Sequence, residues 1–176
     1  RGLGDVYKRQ MIFAVVRAVM PKKSLLLAPT FSEYERALKS VGSQICYYYL
    51  KEENDFELQD DFIDYLDDID MVFICNPNNP VGKIADKKKA QHIAEVCGER
   101  EIVCVFDECF MDLADGYSMK EKVPVIKAFT KTYAMAGLRL GYMIADTDFV
   151  CDVQRQLPMW NVSAAAQILS LIHISE

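Results

Sequence analysis

The sequence predicts an α/β protein in three layers, a mainly parallel sheet with helices on both faces. Three observations carry this reading. Short runs such as Met71–Cys75 (MVFIC) and residues 102–106 (IVCVF) are apolar throughout, which marks strands buried on both faces instead of the alternation of a half-solvated sheet. Segments with helical spacing lie between such runs, as the crossovers of parallel strands require. The chain has 176 residues, of which 51% are apolar, enough for one domain with a sizeable core.

In order, residues 11–20 read as a buried helix, and Lys23–Ala28 (KSLLLA) as an apolar strand that stops at Pro29, where the ladder donor is lost. Residues 32–40 have helical spacing, with Tyr34, Ala37 and Leu38 on one face, and residues 44–50 are rich in strand formers. The acidic stretch 52–70 is expected as a helix with Phe62, Tyr65 and Leu66 on one face and solvated carboxylates on the other. Then follow the strand Met71–Cys75, a helix over 86–96, the strand 102–106, and two more strands over 123–129 and 140–145. No internal repeat or low-complexity segment interrupts the alternation.

Charge and cysteine usage exclude several functions. The net charge is -6 and the basic residues are dispersed, so no stripe is available for a nucleic-acid backbone. The apolar run 11–20 is broken by Arg17 and falls short of the ~20 residues a membrane span needs. Six cysteines at 46, 75, 97, 104, 109 and 151 form no CxxC pair, and there are two histidines; neither a metal site nor a disulfide framework is expected, and a reducing cytosol fits. The ends read differently from the middle. Residues 1–10 carry mixed charges and two glycines, lack the apolar core of a signal peptide, and join the helix at Met11 without a cap. Residues 169–176 look equally foreign. Both resemble translated adapter sequence, and the expected partial domain is therefore residues 11–168.

In open parallel sheets, ligands bind beyond the carboxyl ends of the strands, so the residues that follow strands carry the most weight. Three segments do so: residues 76–82 (NPNNPVG), Asp107-Glu108, and Thr130-Lys131. The first is a rigid turn built from two prolines, turn-tolerant asparagines and a closing glycine, which would present an amide at a fixed place. Asp107 follows a buried strand, where a carboxylate is costly without a positive partner; it is either a loop cap or the acceptor for a ligand cation. Lys131 is either a solvated lysine or an amine nucleophile at the mouth of the sheet. Arg139 and the Thr130 hydroxyl supply donors suited to a phosphate.

Taken together and in this order, NPNNPVG, FDECF and AFTKTYAMAGLRLGY resemble the pyridoxal-phosphate enzymes of fold type I, aminotransferase class I/II, and within them the branch of histidinol-phosphate aminotransferase and threonine-phosphate decarboxylase. The flanks LLLAPTFSEYERAL and RQLPMWNVS resemble that branch too, so the likeness runs from about residue 11 to residue 167. It implies pyridoxal 5'-phosphate as cofactor, an amino-acid or amino-phosphate substrate, and a homodimer when full length. It also implies roles. Lys131 matches the lysine that bonds the cofactor aldehyde, and Asp107 the aspartate that keeps the ring nitrogen protonated. Asn79 matches the asparagine bonded to the ring oxygen, Arg139 the arginine on the cofactor phosphate, Thr130 the hydroxyl that assists it, and Phe31 the aromatic that stacks on the ring.

Three departures from the family pattern stand out. Val81 replaces a common threonine, and Phe110 stands where many relatives have a tyrosine, which points toward the decarboxylase side of the branch. The glycine-containing phosphate loop expected before Met11 is replaced by the segment ending at Gln10. The expected activity is transamination of an amino acid. The alternatives are decarboxylation of a phosphorylated amino acid, and an inactive, cofactor-free α/β binding module. The piece by itself is expected to be inactive and to leave the strand 140–145 as a bare sheet edge. A Rossmann dinucleotide domain is disfavoured because no GxGxxG follows a strand.

Overall fold

The computed structural model describes residues 2–6, 8–134, 137, 139–159, 162 and 163. Among the described residues, seven strands form one sheet: β1 (Gly2–Val6), β2 (Lys23–Ala28), β3 (Gln44–Tyr49), β4 (Met71–Cys75), β5 (Val103–Asp107), β6 (Val125–Ala128) and β7 (Gly141–Ala145), in the spatial order β1-β7-β6-β5-β4-β2-β3. Strands β3, β2, β4, β5 and β6 run parallel, whereas β7 is antiparallel to both β6 and β1. The α/β expectation is borne out. The described residues include the helices α1 (Lys8–Val19), α2 (Glu33–Ser40), α3 (Lys87–Glu99), α4 (Phe129–Thr132) and α5 (Thr147–Gln154).

The layers follow from strand alternation. Along β4, Met71, Phe73 and Cys75 join Leu26, Val105, Ile126 and Met143 in a core with α1, α2 and α5. Val72 and Ile74 point the other way and pack with Leu25, Phe106, Val125 and the α3 residues Ala90, Ile93 and Cys97. Every residue of β4 is thus buried, the reason its sequence is apolar throughout.

Two expectations differ from the structure. Residues 52–70 are not one helix: they form two short 3-10 turns, Glu52–Asn54 and Asp60–Tyr65, with Asp55, Phe56 and Asp68 in left-handed backbone. Aspartate and asparagine compete with the backbone for hydrogen bonds and favour turns over helix interiors. Phe62 and Leu66 are nevertheless buried, while Tyr65 is half exposed. The second difference is at the N-terminus. Gly2–Val6 pairs along β7, from Gly2 opposite Ala145 to Val6 opposite Gly141, and α1 begins at Lys8 and not at Met11. Strand β7 is therefore covered on both sides and is not a bare edge. The segment 169–176 lies outside the described residues.

Helix α5 gave no apolar run long enough to stand out in the sequence. Its start is fixed by Asp146, whose carboxylate accepts from the Phe149 amide at 2.9 Å.

Candidate ligand site at the strand ends

The loops beyond β4 and β5 are stapled to their neighbours. Asn76, buried, accepts from the Ala85 amide at 2.9 Å and donates to the Tyr117 hydroxyl at 3.2 Å. Tyr117 in turn donates to the Ala85 carbonyl at 2.7 Å. Asn78 donates to the Pro29 carbonyl at 2.9 Å and accepts from the Thr30 hydroxyl at 3.2 Å, tying the loop after β4 to the loop after β2. The loop closes through Gly82, whose positive φ of 80° suits glycine. Asn79 and Val81 are half buried on this frame, on either side of exposed Pro80.

Asp107 ends β5 and is 1% exposed. One carboxylate oxygen, Oδ2, accepts from the Tyr34 hydroxyl at 2.5 Å and lies 2.8 Å from Lys8 Nζ. The other, Oδ1, accepts from the Cys109 amide at 3.2 Å. Tyr34 reaches it from the buried face of α2, stacked on Phe73 with ring centroids 4.9 Å apart. Burial and the nearby carboxylate hold the Tyr34 hydroxyl well above its usual range. The same two causes push the Cys75 thiol up to about 11 and raise that of Cys109, so both thiols stay protonated at neutral pH. Burial pulls the Lys8 ammonium down, but its surroundings, the Asp107 carboxylate foremost, pull it up, and the net shift is upward.

The partner cation that a buried Asp107 demanded is therefore Lys8, from the segment expected to lie outside the fold. Its Nζ sits 4.5 Å from the Phe31 ring centroid and 6.0 Å from that of Phe110, within the reach of cation–π attraction. The Lys131 amine, at 5.7 Å, faces the Phe110 ring as well. Lys131 and Thr130 stand on the four-residue helix α4 at the end of β6, with Lys131 exposed.

Of the residues singled out in the sequence, Asp107, Phe31 and Lys131 thus converge around Lys8 and Phe110. Arg139, exposed and in left-handed backbone with φ 55°, lines an adjoining cleft of about 770 Å³ with Arg9, Gln10, Phe13, Arg17 and Leu157. Sequence reasoning missed Lys8, Tyr34 and Asn78 as members of the site. Tyr34 carried one available signal, a hydroxyl on an otherwise apolar helix face, which must find a buried partner.

Beside this frame, Glu108 is fully buried. It accepts from the Ser118 hydroxyl at 2.7 Å and the Met119 amide at 2.6 Å, which holds the loop 111–120 against the sheet. Burial raises its carboxyl above the usual value.

A carboxylate, an amine and aromatic faces gathered beyond the carboxyl ends of parallel strands define an α/β domain with a strand-end ligand site. More narrowly, the chain belongs to the family described as aminotransferase class I and II, whose sequence pattern matches residues 8–175. That family comprises pyridoxal-phosphate enzymes, and the resemblance carried by the three motifs is borne out. The chain is 32% identical to threonine-phosphate decarboxylase of Salmonella typhimurium, covering 95% of this chain and 48% of that protein. It is 27% identical to histidinol-phosphate aminotransferase of Methanococcus aeolicus, over 92% of this chain and 46% of that one. The crystal structure of histidinol-phosphate aminotransferase from Clostridium acetobutylicum superposes with a TM-score of 0.83 at 27% identity, over 94% of this chain and 52% of that chain. The chain thus spans about half the length of the relatives it matches.

Proposed function

We propose that this chain carries the cofactor-binding region of a pyridoxal-phosphate enzyme that transaminates an amino acid or amino phosphate. The observation that carries the reading is the Asp107 carboxylate, buried and paired with a cation that lies against Phe31 and near Phe110. The Lys8 ammonium stands in for a ligand cation there, and the donor set fits a flat, positively charged ring.

In this reading Asp107 would hold a proton at the ring nitrogen, Phe31 would cover the ring, and Asn79 would bond the ring oxygen. Thr130 and Arg139 hold the phosphate. Lys131 would hold the cofactor through Nζ at its aldehyde and would serve as the base that takes up and returns the Cα proton of the substrate. Pyridoxal phosphate, when bound, supplies the electron sink that makes that proton removable. A homodimer in the cytosol completes the proposal; all six cysteines are free thiols, which fits a reducing compartment.

A second reading is decarboxylation of a phosphorylated amino acid, favoured by the 32% identity to a threonine-phosphate decarboxylase and by Phe110 in place of a tyrosine. The two share every residue role above and differ in which Cα bond is broken.

The test is incubation with pyridoxal phosphate, borohydride reduction and peptide mapping. An adduct on Lys131 that disappears in Lys131→Ala is the expected result. No adduct on any lysine would leave the cofactor-free binding module.

A further inference from the structure

Two cysteines meet at the amino ends of β5 and β6, on the far side of the sheet from the strand-end mouth. Cys97 lies in the last turn of α3, and Cys104 is the second residue of β5. The Ile102 amide donates to the Cys97 carbonyl at 2.8 Å, which folds the chain back from the helix into the strand. Strand alternation then turns Cys104 and Phe106 toward the layer of α3, where Cys97 packs with Ala90, Ile93 and Val123. The two side chains interact, with the Cys104 thiol donating to Cys97. Their exposures are only 1% and 3%, yet both line a cleft of about 210 Å³ whose other walls include Gly98, Lys122 and Phe149. Gly98 and Lys122 are exposed, so the cleft leads from solvent to the sulfur pair.

We propose that Cys97 and Cys104 are a dithiol modification site, which hydrogen peroxide entering the cleft converts reversibly into a disulfide joining the end of α3 to β5. The site stands apart from the strand-end site and does not depend on what that site binds. The two sulfurs are not equivalent. The hydrogen bond from Cys104 lowers the Cys97 thiol, burial opposes this, and the Arg100 guanidinium adds to it. The same bond, with burial, holds the Cys104 thiol well above its usual range. Cys97 is therefore the attacking thiol and Cys104 the resolving one. Cys75 and Cys109 differ, since burial and the Asp107 carboxylate raise both of their thiols.

The chemistry runs in two displacements. The Cys97 thiolate attacks one peroxide oxygen: an S–O bond forms, the O–O bond breaks, and the hydroxide that leaves takes up the proton Cys97 gave. The Cys104 sulfur then attacks the sulfenic sulfur of Cys97. The S–S bond forms, the S–O bond breaks, and the hydroxyl leaves as water with the Cys104 proton. Two thiols are oxidised, one peroxide is reduced, and two waters result. Exchange with a low-molecular-weight thiol, itself oxidised to its disulfide, restores the pair. The free thiols of the chain are thus the resting state in a reducing compartment.

The test exposes the folded chain to hydrogen peroxide, alkylates the remaining thiols and maps tryptic peptides without reduction. Cleavage after Arg100 separates Cys97, in peptide 90–100, from Cys104, in peptide 101–120. The expected product is these peptides joined through Cys97 and Cys104, formed several-fold faster in the folded chain than in urea and split again by dithiothreitol. Cys104→Ser removes the resolving sulfur, so Cys97 should stop at the sulfenic acid and be trapped by dimedone. In Cys97→Ser, Cys104 should take no dimedone. The wild-type mapping decides the matter by itself if a variant does not fold. No link between the two peptides while the exposed Cys151 is oxidised would overturn the site. So would a link to Cys109 instead, or one that forms no faster in the folded chain than in urea. Dimedone on Cys104 in Cys97→Ser, with none on Cys97 in Cys104→Ser, would overturn the assigned order of attack.

Discussion

On the β4–β5 half of the strand-end mouth, Asn76, Asn78, Asp107 and Glu108 are buried, and each is held by two or more hydrogen-bond or ion-pair partners. On the β6–β7 half, Lys131 and Arg139 are exposed, one on a four-residue helix and the other in left-handed backbone beside it. The halves meet at Phe110, whose ring centroid is 6.0 Å from the Lys8 amine and 5.7 Å from that of Lys131. The difference teaches which residues are enclosed in the fold and which stand open to solvent. A buried, fully engaged carboxylate cannot move without cost. An exposed lysine can reach, react and be released.

The largest expected effect breaks the enclosed half. Asp107→Ala should leave the Tyr34 hydroxyl buried without an acceptor and deprive Lys8 of its counter-ion. A loss of roughly 3 kcal/mol is expected, near the lower end for breaking a buried pair because Lys8 can turn to water. Urea unfolding at neutral pH measures it; a loss below about 1 kcal/mol would mean that the two halves are equally loosely held.

Glu108 gives a smaller, pH-dependent effect. Burial lifts its carboxyl above the ordinary 4.5, so the native state holds the proton more tightly than the unfolded chain does. Stability from this group is fully present below the ordinary value and is lost as pH rises through the raised one. Glu108→Gln cannot titrate. The melting temperature of the wild type should therefore gain on that of the variant as pH is lowered from neutrality toward the ordinary carboxylate range, and a difference that stays constant with pH would remove Glu108 from the enclosed half.

The smallest effect sharpens the comparison from the other side. Lys131→Ala should change unfolding free energy by no more than about 0.5 kcal/mol, as at other exposed positions. A loss comparable to that of Asp107→Ala would show that the exposed half is also part of the structural frame.

The central strands were legible in the sequence because burial on both faces leaves no room for polar residues, and Met71–Cys75 was read to the residue. The stretch 52–70 was misread because apolar residues at helical spacing, Phe62 and Leu66, are equally compatible with a 3-10 turn between two loops. In the site, Asp107 and Lys131 were legible from their position after strands. For Tyr34 the local pattern says only that its hydroxyl needs a buried acceptor; the acceptor itself lies 73 residues away, and nothing local names it.

What the sequence determined by itself was the alternation of buried strands and helices, the strand-end positions of Asp107, Thr130 and Lys131, and the motifs that match the aminotransferase class I and II family. These depend on local pattern and order along the chain. The tertiary structure alone decided that residues 2–6 cover β7 and that Lys8 neutralises Asp107. A buried carboxylate takes whichever cation folding brings within reach, because its desolvation must be offset, and which cation that is depends on distance in space and not on distance in sequence.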